Sequence, residues 1–145
     1  MNAPEHAADG RERLSRALDD LRWAQHSFAG GFLPQACFGC QQAAEKALKS
    51  YLLAHDLSLS RTHSLPTLLA KAATIDPDLS RFEDSATVLD AYYAPTRYAD
   101  VPVKLDYTAA RVQDAIQRAR ALVDELAGRI KSRLAGDDAP QETRA

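Results

Sequence analysis

From Cys37 to Ala54, small and apolar residues return at alternating steps of three and four: Cys37, Cys40, Ala44, Ala47, Tyr51 and Ala54. A helix turns once per 3.6 residues, so this rhythm lines one face of an α-helix. The stripe is built mostly of small side chains, so another helix can approach it closely. The chain supplies the neighbours. Leu14, Leu18, Leu21, Gln25 and Phe28 mark a helix from about Glu12 to Ala29, stopped by Gly30 and Gly31. The striped helix starts near Pro34, a residue favoured in a first turn, and runs to about His55, with Leu48 and Leu52 widening its buried side.

After a loop at 57–64, Leu65, Leu68, Leu69 and Ala72 predict a short helix, with Ser64 or a neighbour as its N-cap. A helix from about Leu79 to Tyr93 follows, in register through Leu79, Phe82, Ala86, Leu89 and Tyr93. Pro95 marks its end, because the residue before a proline avoids the α region. Beyond a connector, Asp106 is expected to cap a last helix that extends to about Leu134. Its seam is Val112, Ile116, Ala119, Val123, Leu126 and Ile130. Strand-like alternation is absent. The expected fold is all-α, an antiparallel up-and-down bundle of four long helices plus one short helix. Residues 1–10 and 136–145 are polar and aperiodic, so they are expected to be disordered tails around a bundle spanning 11–135.

A chain of 145 residues suits one domain, and 46% hydrophobic residues can bury a core without disulfides or metals. A net charge of −2 argues against a protein-wide nucleic-acid footprint and leaves room only for a local basic patch. No window approaches the roughly 18 apolar residues of a membrane span, and no basic-then-apolar leader opens the chain. A cytoplasmic protein without membrane partners is therefore expected.

Few chemical motifs stand out. Cys37 and Cys40 form a Cys-x-x-Cys pair, but no βαβ pattern accompanies it and no second pair stands at zinc spacing, so it reads as two small seam residues. The adjacent carboxylates Asp19-Asp20, Glu83-Asp84 and Asp124-Glu125 cannot share a helix face and read as solvated surface. Gln42, Lys46 and Lys49 share a polar side of the striped helix, where Glu45 supports Lys49 from four residues away. His63 sits in a loop just before a helix start, where backbone N–H groups favour anions. The stretch from Tyr92 to Asp100, YYAPTRYAD, places Arg97 among tyrosines where a helix stops. An arginine so placed can fork a phosphate while a ring stacks, or the stretch can be a packed corner with Asp100 paired to Arg97. No metal-binding or cofactor-binding motif and no catalytic constellation emerges from these residues.

The order of these blocks resembles a known family. ACFGCQQAAEKALKSYLLAHDL resembles the second-helix signature of HEPN domains (higher eukaryotes and prokaryotes nucleotide-binding). THSLPTLL resembles the His-Ser-Leu segment that follows, and LDAYYAPTRYAD the Tyr-x-x-x-Arg-Tyr-x-Asp stretch, all in family order over about Leu14 to Leu134. The resemblance implies a helical bundle, usually a homodimer, that deals with nucleotides or RNA. It also implies a minimal nucleotidyltransferase as a protein partner. Some such pairs are toxin–antitoxin systems whose HEPN member is a metal-independent ribonuclease. Carried over by position, Lys46, Lys49, His63, Arg97, Tyr98 and Asp100 become the candidate nucleotide- or phosphate-binding residues. HEPN ribonucleases carry an arginine, four to six residues and then a histidine late in the bundle, whereas no histidine follows His63 here. The expectation is thus a binding or accessory protein without catalysis of its own; a ribonuclease toxin and a pure interaction module are the alternatives.

Overall fold

The computed structural model describes residues 2–59, 61–93 and 106–138. Among them lie five α-helices: α1 (Ala3–Ala29), α2 (Leu33–Ala54), α3 (Leu65–Ala73), α4 (Glu83–Asp90) and α5 (Ala109–Asp138). A 3₁₀ turn at Pro77–Phe82 leads into α4, and the described residues contain no strand. The fold is all-α. The connector at 94–105, which carries Arg97, Tyr98 and Asp100, lies outside the described residues, as do 139–145 of the expected C-terminal tail.

α2 is the centre of the molecule, packed against α1, α3, α4 and α5. Its small stripe does what the spacing demands: Cys37, Cys40, Ala44, Ala47 and Tyr51 are fully buried. Gly31, at φ +85°, makes the tight turn that sends α2 back along α1. The two helices pack closely at Gly39. A Cβ there would stand 2.8 Å from Cε3 of Trp23 and 3.1 Å from the Ala24 Cβ. Leu14, Leu21, Leu65, Leu68, Leu79, Leu89, Leu122, Leu126 and Ile130 complete one continuous core.

Several boundaries differ from the sequence reading. α1 starts at Ala3, inside the stretch read as a disordered lead. Asn2 and Glu5 form a capping box, each side chain bonded to the other's backbone N–H at 3.0 and 2.9 Å. The Ser50 hydroxyl then ties the extra turns down by donating to the Gly10 carbonyl at 2.6 Å. Instead of one helix from Leu79 to Tyr93, the chain makes the 3₁₀ turn and the shorter α4. The three-residue step from Leu79 to Phe82 fits three residues per turn as well as it fits an α-helix. Ser64 caps α3, accepting from the Thr67 N–H at 3.3 Å. α5, however, is capped by Thr108, which accepts from the Arg111 N–H at 3.1 Å, and not by Asp106. α5 also runs on to Asp138, beyond the expected end near Leu134.

Candidate functional site

Gln41, Glu45 and Lys49 stand four residues apart on α2, so they rise up one face of the helix. All three are buried, which is unusual for such side chains unless each is answered. Glu45 is the hub. Its Oε1 accepts from Gln41 Nε2 at 3.3 Å and from His63 Nδ1 at 3.0 Å, while its Oε2 faces Lys49 Nζ at 3.4 Å. Gln41 is satisfied in turn by Gln42 Nε2 at 2.6 Å.

His63 reaches this hub from the loop before α3, and local bonds hold the loop there. Thr62 Oγ1 accepts from the Ser64 N–H at 3.0 Å, and Asp90 of α4 accepts from the Leu65 N–H at 2.9 Å. The His63 ring stacks on Tyr93, with centroids 5.0 Å apart and planes at 17°. Tyr93 in turn leans on Phe38 at 6.3 Å. A row of three rings therefore flanks the polar ladder. An ionised carboxylate only accepts, so the Glu45 contact makes His63 Nδ1 the donor and leaves Nε2 to carry the lone pair of a neutral ring. The His63 side chain is 51% exposed. Among the described residues, Nε2 has no hydrogen-bond partner.

Lys49 and His63 thus meet at one carboxylate, but Lys46 does not join them. It points to α1 and pairs with Asp20 at 2.5 Å. Arg97, Tyr98 and Asp100 lie outside the described residues. The residues on either side of their connector come near each other, because the Tyr92 and Tyr107 rings are 6.3 Å apart. Sequence reasoning treated Glu45 only as a helix-supporting partner of Lys49 and passed over Gln41 and Phe38. The available signal was three polar residues at four-residue spacing in a helix otherwise lined with small and apolar ones.

Cys37 and Cys40 are free, buried thiols. Burial pushes Cys37 up to about 11 and Cys40 up to about 12, so neither offers a thiolate near neutral pH. Burial likewise pushes the Tyr92 phenol up to about 12.

The HEPN domain family profile matches residues 11–130, most of the chain. This chain belongs to the HEPN domain family. Three solved structures resemble this HEPN chain. TT1696 from Thermus thermophilus is 34% identical with a TM-score of 0.70, the match covering 82% of this chain and 96% of that one. ST0689, an archaeal HEPN homologue, is 30% identical with a TM-score of 0.68, over 83% and 97% of the two chains. An HEPN domain protein from Thermotoga maritima, TM0613, shares the fold at 23% identity and a TM-score of 0.61, over 86% and 98%. A comparison with curated proteins finds no match.

Proposed function

We propose that this HEPN bundle binds a nucleotide, or a phosphate of an RNA strand, without carrying out catalysis of its own. The observation that carries the reading is the convergence of Lys49 and His63 on buried Glu45 beside the ring row. Polar groups tied together by these bonds beside a half-exposed imidazole resemble a preorganised recognition site more than a solvated surface. Arg97, Tyr98 and Asp100 join the proposal from the connector: Arg97 to fork a phosphate, Tyr98 to stack on a base, and Asp100 to orient Arg97. A homodimer and a minimal nucleotidyltransferase partner, with the cytoplasm as the compartment, belong to the same proposal.

Isothermal calorimetry with adenosine monophosphate, adenosine triphosphate and a short single-stranded oligonucleotide tests it. His63→Ala and Arg97→Ala are each expected to weaken binding about tenfold or more, with helical circular dichroism unchanged, while Lys46→Ala leaves binding intact. If no probe binds, the nucleotide reading fails, and a pure interaction module takes its place. Cleavage of RNA by the purified protein, abolished by His63→Ala, would instead favour a ribonuclease.

A further inference from the structure

His63 Nε2 can present either a lone pair or an N–H to whatever meets it. The Glu45 contact removes the usual ambiguity, because Nδ1 must donate to that carboxylate. A neutral ring then carries its lone pair on Nε2, which repels a phosphate oxygen. Only the doubly protonated ring donates from Nε2. Resting on the nucleotide-binding reading, we infer that this site takes its phosphate together with a proton, His63 binding as the imidazolium and Glu45 acting as the positioning residue that stabilises it.

Among the described residues, Glu45 and Lys49 balance each other while His63 is neutral, and an imidazolium adds one positive charge that an anion can answer. From α2, Glu45 brings one negative charge and Lys49 one positive charge. The end of α4 brings Tyr93, stacked on the ring, and Asp90, whose Oδ1 accepts from the Leu65 N–H. Arg61 lies two residues away on the loop of His63 itself and is exposed. Lys49 already answers Glu45, the one buried carboxylate among the described residues. Among the described residues, a second positive charge on His63 would share that carboxylate with Lys49, and a bound phosphate would add a further negative charge. One phosphate charge then makes two positives and two negatives within the ladder, and each opposite charge close by favours the charged form of its neighbour. Glu45 holds the donor geometry in advance and the phosphate supplies the remaining charge. The proton comes from solvent buffer and no covalent bond changes.

The test is calorimetry of the full-length chain with adenosine monophosphate at about pH 7, repeated in buffers of different ionisation enthalpy. The observed enthalpy is expected to vary linearly with the buffer's ionisation enthalpy, with a slope that reports uptake of up to about one proton. His63→Gln is expected to abolish the slope and weaken binding about tenfold, which is about 1.4 kcal/mol. Glu45→Gln keeps the shape and is expected to lower the pH at which binding fades. Nitrogen-15 spectra of the free protein at alkaline pH are expected to show the Nδ1–H tautomer of His63. Binding with equal enthalpy in every buffer, a slope that survives His63→Gln, or an Nε2–H tautomer would each overturn the inference and leave nucleotide binding standing. Absence of binding to any nucleotide or strand would remove both.

Discussion

Two ionic clusters in this protein use similar side chains to different ends. One surrounds Glu45 on α2 and is buried. The other surrounds Arg129 on α5 and is open to water. The Arg129 guanidinium bonds Glu125 through Nε and Nη2 at 2.9 and 2.7 Å, and Asp78 through Nη1 and Nη2 at 3.1 and 2.6 Å. Asp76 stands 3.3 Å from the same group and also accepts from the Tyr51 hydroxyl. This knot joins α5, the 3₁₀ turn and α2, and the fork of Arg129 is filled by partners from its own chain. In the Glu45 cluster, by contrast, Nε2 of the half-exposed His63 has no hydrogen-bond partner among the described residues. A saturated ionic group ties elements together, whereas an unsaturated one can accept a ligand.

The largest expected effect tests whether the Glu45 cluster is truly buried chemistry. Glu45→Ala strands Lys49 in a dry site and should destabilise the fold by about 3 kcal/mol in urea melts. A loss of only about 0.5 kcal/mol, the size usual for a surface change, would erase the contrast. Arg129→Gln comes next, at about 1 kcal/mol, because its partners are partly solvated and water screens them. It should leave nucleotide affinity unchanged; a loss of affinity would give the knot a role in binding.

Smaller again is an acid effect. Arg129 holds the carboxyls of Asp78 and Glu125 below the ordinary carboxylate range, chiefly through its hydrogen bonds. Their pKa values are lower folded than unfolded, so their stabilisation is present above that ordinary range. It drains away as the pH falls through the lowered values. Thermal melts on an acid series should therefore fall more steeply for wild type than for Arg129→Gln; equal slopes would mean that the knot does not carry the acid sensitivity. The smallest change is expected from Lys46→Ala. Its pair with Asp20 is partly exposed, and melts should move by less than about 1 kcal/mol.

The parts of the fold governed by local rules were legible in the sequence. The small stripe of α2, the glycine turn after α1 and the Ser64 cap each depend on neighbouring residues. The early start of α1 was also written there, as Asn2-x-x-Glu5 with Pro4 in the first turn, but the surrounding alanines and charged residues have no strong apolar period to draw attention. At the site, Lys49 and His63 were legible as candidates, whereas their common attachment to Glu45 was not. That attachment spans 18 residues and depends on how the loop before α3 lies against α2. Lys46 shows the converse: sequence spacing groups it with Lys49, but α1 offers it Asp20 instead. Helical periodicity reports which residues face inward and says little about which inward-facing polar residues will find one another.

The close approach at Gly39 also has an optical consequence. Trp23 is the chain's only tryptophan, and it lies against α2 while remaining 44% exposed. Its emission therefore comes from the α1–α2 boundary alone, and its half-wet indole is positioned to change colour when that boundary opens. Ultraviolet excitation can follow the separation of these two helices in the unlabelled protein, during unfolding or on meeting a partner.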